Sequence, residues 1–475
     1  MPSPWPQTDP TAAQRAAYAD AAVLPFWLDD LPAIDPAAAL DTAIETDLCI
    51  VGGGFTGLWA ALHAKHRDPG RDVAVVESHT CGYGASGRNG GFLLSSLTHG
   101  LENGLARFAD EMEALERLGF DNYAGLRGDL ERHGIDCDFE ETGDMSVALE
   151  PHELAWLDEG AELMRRYGHE VELLDREQMR AEVRSPTYLG GLWDRTGAAM
   201  VHPGKLARGL RDAALAAGVR LYEHTAVEDT RSAGAGVELT TAGGTVAARR
   251  VLLATSAYPP LVRSIRRYVL AVYDYALMTE PLSPAQRESI GWSRRQGLGD
   301  SGNQFHYYRL SADDRILFGG YDAVYRFGGP VDAQLDDHDA TFGKLAQHFF
   351  TTFPQLEGVR FTHRWGGAFD TCSRFSVFFG TALGGRLAYA TGYTGLGVAA
   401  SRFGAEVALD LVDGNDTEAT RLRYVRSRPV PFPPEPLRSG VVRVTQNRLA
   451  AADRREGRRG LWLRALDRAG LGFDS

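Results

Sequence analysis

The sequence predicts a two-part chain, a doubly wound α/β domain interleaved with an α+β unit built on a mainly antiparallel sheet. Three observations predict it. From Asp47 the chain runs strand, glycine-rich turn, helix, strand, the βαβ opening of a doubly wound domain. Residues 270–280, 303–310 and 314–321 are dense in aromatic and β-favouring types, which places a second sheet there. At 475 residues the chain also exceeds the ~250 to 300 at which single cores stop growing.

In chain order, residues 1–40 read as an N-terminal extension with a helix over 11–22 and an apolar turn, PFWLDDLP, that packs on the body. The doubly wound domain takes 41–135, 186–260 and 361–425, and the second unit takes 136–185 and 261–360. Residues 101–133 are helical. Segments 143–149 and 188–194 read as strands with a charged helical stretch between them. A helix over 202–216 starts with Pro203 in its first turn. Strand-like VRLYEHTAVEDT and VELTTAGGTVAARRVLLATSAY follow, with Gly243-Gly244 turning a hairpin. A helix over 340–350 leads to further strands and a turn-helix, GYTGLGVAASRFGAEVALDLV. The last part, 426–475, is a Pro-rich extended connector, PVPFPPEP, and an Arg-rich amphipathic tail. The tail reads as docked on the protein's own body; a membrane-surface helix is the alternative.

Composition narrows the function classes. A net charge of −13 disfavours nucleic acid, whose phosphates require a basic surface. No apolar run reaches the ~20 residues of a membrane span, and the start lacks a basic segment followed by an apolar core, so a cytoplasmic protein is expected. Cys49, Cys81, Cys137 and Cys372 form no CxxC pair and no spacing with histidine, so reduced thiols and no metal site are expected. Of the 50 basic residues only Lys65, Lys205 and Lys344 are lysine.

The segment DLCIVGGGFTGLWAALHAKHRDPGRDVAVVES sets Gly52, Gly54 and Gly57 in GxGxxG register after an apolar strand and at the start of a helix. The first glycine permits the tight turn, the second lets backbone approach a pyrophosphate, and the third lets helix pack on strand. Amides at the helix N-terminus then meet the phosphate charge. Glu77, at the end of the next strand, is placed to bind a ribose diol. A second small-residue loop follows at once, GYGASGRNGG over 82–91, where a flavin ring would lie against backbone. That loop favours FAD over NAD.

VGGGFTGLWAAL, GASGRNGG, VHPGKLARGL, VLLATSAY, YYRLSADDRILFGGYDA, WGGAFD and GYTGLGVAAS, in this order, make the chain resemble the D-amino-acid oxidase superfamily of FAD enzymes. Within it, the γ-glutamylputrescine oxidase branch is the most similar. The resemblance implies a Rossmann-like FAD-binding domain of the GR2 type beside a substrate-binding sheet. It implies that Gly52, Gly54, Phe55, Thr56, Gly57 and Glu77 hold the ADP half of FAD. Ser86, Gly87, Arg88, Asn89 and Gly90 would lie along the pyrophosphate and flavin, with Trp365 close by. Val227 would meet the adenine, and Gly392, Gly395, Leu396 and Gly397 would cover the pyrimidine edge. Histidine is frequent in relatives where this chain has Leu396. Helix amides opened by Gly395 and Gly397 would stabilise negative charge on a reduced flavin.

The implied reaction moves a hydride from the carbon next to a primary or secondary amine to flavin N5. Water then hydrolyses the imine to a carbonyl, and O2 or another acceptor takes the electrons. A flavin monooxygenase using NAD(P)H and a non-catalytic flavoprotein subunit of an electron-transfer complex are the alternatives. The FAD is expected to be non-covalent, because Gly366 stands where relatives carry a tethering cysteine. Strand alternation puts Phe305, Tyr307 and Arg309 on one face and His306 and Tyr308 on the other. Arg309 is a candidate for a substrate carboxylate or an ion pair. His306 is a candidate for taking the amine proton or for a structural role, and Tyr273 and Tyr275 for shaping the substrate site or packing the core. None of the three lysines falls on a strand expected to face the flavin, so a positive charge for oxygen activation would come from His306, Arg88 or another arginine.

Overall fold

The computed structural model describes residues 4–472. The parallel core forms where the sequence is most apolar. Ile44–Val51 pairs in parallel with Val73–Val76 on one side and Thr245–Leu253 on the other, and Val73–Val76 is buried throughout. Arg220–Tyr222 extends one edge, while Leu387–Thr391 pairs in parallel with Thr245–Leu253. Gly236–Thr241 and Val227–Ala233 complete a meander, and Phe378–Ala382 closes against Leu387–Thr391. Three helices cover this sheet: Phe55–Arg67, Pro203–Ala216 and Gly397–Asp413. Their alanines and glycines allow close approach; the helix Phe55–Arg67 is buried from Phe55 to Ala64. His202 caps the second of them, its ring accepting from the Lys205 amide, with Pro203 in the first turn.

The other large sheet has ten strands among the described residues. Its spine is the long antiparallel pair Leu270–Thr279 and Phe361–Thr371, followed by Ile316–Gly320, His306–Leu310 and Gly297–Asp300. Asp144–Ala148, Gly190–Asp194 and Val171–Leu174 carry it to the far edge. The helix Asp339–Thr352 packs on one face through Phe342, Leu345, Phe349 and their neighbours.

This pairing moves two of the expected boundaries. Phe361–Thr371 and Gly190–Asp194, assigned from sequence to the doubly wound domain, belong to the antiparallel sheet. The N-terminal extension contributes too, because Ala22–Val23 pairs in parallel with Phe361–Thr371. The strand Val171–Leu174 interrupts what reads as continuous helix, and the stretch 101–133 divides into Leu101–Phe108 and Met112–His133. The tail forms two helices, Leu437–Asp453 and Leu461–Arg468, docked on the body as expected. No helix among the described residues is long and apolar enough to cross a membrane.

Candidate functional site

A cavity of about 1330 Å³ is lined by residues of both sheets. Single-ligand pockets usually span ~300 to 1,000 Å³, so it has room for a large cofactor and a second molecule. At one end lie Gly52, Gly54, Glu77 and Val227. Gly52 has φ +110°, the turn only glycine takes without strain. A Cβ on Gly57 would collide with the Gly52 carbonyl, so the helix sits directly on the turn and aims its N-terminal amides at the cavity. Glu77 accepts from the Gly53 amide at 2.6 Å and the His79 amide at 2.8 Å, which holds its carboxylate at the strand end.

Ser86 Oγ accepts from the Phe55 amide at 2.9 Å, locking the second small-residue loop to the first. Asn89 donates to the Ala85 and Ser86 carbonyls and accepts from the Gly91 amide, so its side chain shapes the loop. Arg88 donates to the Tyr83 carbonyl at 2.8 Å, to Asp336 at 2.5 Å and to the Gly366 carbonyl at 2.9 Å. Trp365 donates its indole N–H to the Arg88 carbonyl. Across the cavity, Asp370 accepts from Thr391 and the Gly392 amide and holds the 392–397 loop in place. Tyr393 accepts from Thr56, joining that loop to the dinucleotide helix. A Cβ on Gly395, where φ is +87°, would meet no atom within 4 Å, so glycine here leaves the cavity open.

Of the expected cofactor positions, Gly52, Gly54, Phe55, Thr56, Glu77, Ser86, Arg88, Asn89, Gly90, Val227, Trp365, Gly395, Leu396 and Gly397 line the cavity. Gly57, Gly87 and Gly392 do not, and they act from behind, as points of close backbone approach. Asp370 escaped the sequence reading, although an acid inside an apolar strand is a signal.

The three catalytic candidates do not line the cavity. His306 is fully buried on the other face of its strand, its ring between Asp300 at 2.6 Å and His348 at 3.0 Å. Arg309 is 1% exposed and donates to the Gly91 and Val201 carbonyls, which excludes a substrate carboxylate. Tyr273 is spent on the Asp332 backbone, donating to its carbonyl and accepting from its amide. In each case the strand's alternation or its length carries the side chain past the cavity.

Their neighbours occupy the site instead. Tyr307 and Asp274 both line the cavity, and the Tyr307 hydroxyl donates to Asp274 Oδ2 at 2.5 Å. The strand Ile316–Gly320 runs between them, and Tyr307 crosses it because position 319 is glycine; a Cβ there would lie 2.7 Å from the ring. A Cβ on Gly90 would also lie 2.7 Å from this ring, so Tyr307 sits against the loop that carries Arg88. Asp274 opens onto the cavity yet lies deep below the surface, and burial pushes its carboxyl up to about 6 against hydrogen bonds from Tyr307 and the Tyr275 amide. No arginine, lysine or histidine pairs with it among the described residues. Tyr321 and Asp322 complete this end.

Lys344 lies on a helix, as expected, and not on a strand; from there it reaches the cavity, where it pairs with Asp322 at 2.8 Å. None of the four cysteines does. His66, Asp129 and His133 bring ligand atoms within 4.8 Å of one another, but Asp129 is already held by Arg402 and Arg132.

Comparison with known proteins bears on the family and the fold. The family described as DAO, FAD dependent oxidoreductase, matches residues 47–411. The chain is 34% identical to the gamma-glutamylputrescine oxidoreductase of Escherichia coli (strain K12) over 406 residues, 84% of this chain and 90% of that protein. Its fold is similar to that of glycine oxidase from Geobacillus kaustophilus, with a TM-score of 0.66 and 24% identity over 81% of this chain and 99% of that one. L-proline dehydrogenase from P. horikoshii matches with a TM-score of 0.65 and 16% identity, over 82% and 96% of the two chains.

Proposed function

The chain belongs to the DAO family of FAD dependent oxidoreductases, and from that premise we propose that it oxidises an amine at the carbon next to nitrogen. The residues present fit the cofactor. A glycine turn and helix N-terminus suit a pyrophosphate, Glu77 suits a ribose diol, and the open surface at Gly395 suits a flat ring. Bound there, FAD supplies the hydride acceptor.

The observation that carries the substrate reading is Asp274. A carboxylate in a deep cavity without a cationic partner is costly to keep, and an ammonium group is the ligand that would offset that cost. Asp274 anchors the ammonium, and Tyr307 holds the carboxylate in place. The amine must lose a proton before its carbon can release hydride, and Asp274 takes that proton. With its carboxyl raised to about 6, it lies nearer the operating pH of a general base than an ordinary aspartate does. Water then converts the imine to a carbonyl and frees the amine. For the electrons the proposed acceptor is O2, supported by the buried guanidinium of Arg88, which borders the cavity while paired with Asp336. The likeness to an oxidoreductase named for a polyamine conjugate supports the amine class.

Anaerobic addition of polyamines, N-methyl amines and amino acids to the FAD-loaded protein tests this. Bleaching of the flavin by at least one amine is expected. Bound FAD that no amine bleaches refutes the reading, and NADPH oxidation without amine would favour the monooxygenase alternative.

A further inference from the structure

We propose that the C-terminal helix Leu437–Asp453, backed by Leu461–Arg468, is the outer wall of the substrate chamber, and that its inner stripe recognises an extended aliphatic chain carried by the amine. The proposal rests on the amine reading only for the identity of the reacting group. Residues 412–475 lie beyond the part of the chain that matches the family, yet the cavity that begins at Gly52 ends on them.

The stripe is built by helix period. Val441, Val442, Thr445, Gln446, Leu449 and Ala450 line the cavity and are half-buried, whereas Arg443, Val444 and Arg448 are exposed and do not line it; Asn447, exposed, reaches the cavity at its rim. Spacings of one, four, five, eight and nine from Val441 make one face of an α-helix. A docked helix normally buries its inner face completely; this one faces open space, so its apolar side chains stay partly uncovered. From the second helix, Leu463 and Leu466 join the same lining.

The polar groups of the stripe are already committed inside the protein. Thr445 donates to the Val441 carbonyl and accepts from the Trp462 indole, and the Gln446 amide donates to the Ala323 carbonyl. What the stripe offers a ligand is therefore largely methyl and methylene surface. The wall is also held in register with the site. Asp453 accepts from Asn303 Nδ2 at 2.5 Å and from the Asn303 and Gln304 amides, just ahead of the strand bearing Tyr307. Glu435, at the helix start, accepts from Tyr325 and from the Gly328 amide. A substrate whose ammonium sits on Asp274 would thus send its chain towards a fixed apolar wall, and each methylene laid on it is worth about fourfold in Kd.

Binding of straight-chain alkylamines from propylamine to octylamine, read anaerobically as a perturbation of the bound FAD spectrum, tests the wall whether or not bleaching follows. In the wild-type protein Kd is expected to fall with chain length. Val442→Trp and Leu449→Trp should raise the octylamine Kd at least tenfold and leave propylamine within about twofold. Leu449→Ala, which introduces no clash, carries the test if the tryptophan variants do not retain FAD. It should weaken octylamine about fivefold and spare propylamine. Equal chain-length dependence in wild type and in every FAD-loaded variant overturns the proposal. Alkylamines that bind by chain length leave the wall standing whether or not they bleach the flavin, and the amine-oxidising reading falls separately if no polyamine, N-methyl amine or amino acid bleaches it. If no alkylamine perturbs the wild-type spectrum, the wall proposal falls.

Discussion

Asp274→Asn is the substitution that most directly separates a ligand-binding carboxylate from a structural one. Raising the carboxyl from 3.8 to about 6 is about two units, or about 3 kcal/mol of penalty on the charged form. The folded-state value lies above the unfolded one, so the protonated carboxyl stabilises the fold below pH 4, and that contribution is lost as pH rises through 6. Asparagine keeps the shape and never ionises. Near pH 4 the variant and the wild type should therefore unfold at similar denaturant concentrations. Near pH 8 the variant should be more stable, by at most about 3 kcal/mol. Ligand binding should move the other way. Loss of a charged hydrogen bond to the ammonium costs about 1.5 to 3 kcal/mol, so amine Kd should rise about ten- to hundredfold. In the wild type, apparent affinity should fall about fivefold between pH 6 and pH 5 as Asp274 takes its proton, and the variant should lose that dependence. Denaturation of the FAD-loaded protein without amine, paired with anaerobic spectral titration, measures both. A variant that binds every amine as the wild type does refutes the anchoring role. A stability difference that does not vary with pH refutes the raised carboxyl.

Four further outcomes are expected. Gly54→Leu should purify without FAD, because its Cβ would lie 2.9 Å from the Ser86 hydroxyl that holds the Phe55 amide; an unchanged flavin content would contradict this. Arg309→Ala should lower stability by about 2 kcal/mol or more, by unpairing the Gly91 and Val201 carbonyls, with loss of FAD rather than a selective rise in KM; melting curves and flavin content read it. Acid precipitation should leave the yellow colour in the supernatant, since none of the four cysteines lines the cavity. Lys344→Met should leave the reoxidation rate of the reduced enzyme by oxygen within a few-fold in stopped flow, because both cations are paired with an aspartate but the Lys344 side chain is 46% exposed and screened by solvent whereas that of Arg88 is 8% exposed; a large loss of fast reoxidation would place the activating charge on Lys344.

Local chemistry was enough to place the glycine turn, Glu77 and the loop around Arg88 on one cavity. Gly52, Gly54, Gly57 and Glu77 lie within one strand, turn, helix and strand, and spacing along such a unit sets position in space. The same holds for the loop around Arg88, which follows at once. Within the substrate sheet, alternation correctly separated Tyr307 from His306 and Tyr308, but it is silent on which face meets the cavity. The helix Asp339–Thr352 decides that question by covering the face that carries His306, and the helix comes from a segment over 30 residues later in the chain. Asp274 stands beside Tyr273 for the same reason, with Tyr273 turned to the Asp332 backbone and Asp274 to the cavity, which Tyr275 also borders while its hydroxyl donates to the Leu335 carbonyl. Strand membership at 361–371 and 190–194, and the return of the C-terminal tail to the chamber mouth, also depend on pairings between distant segments. The sequence by itself determined the glycine turn and most of the elements with their periods, because those depend on neighbours a few residues apart. Only the tertiary structure decided which residue of each alternating pair faces the cavity, because that depends on which layer packs against which face.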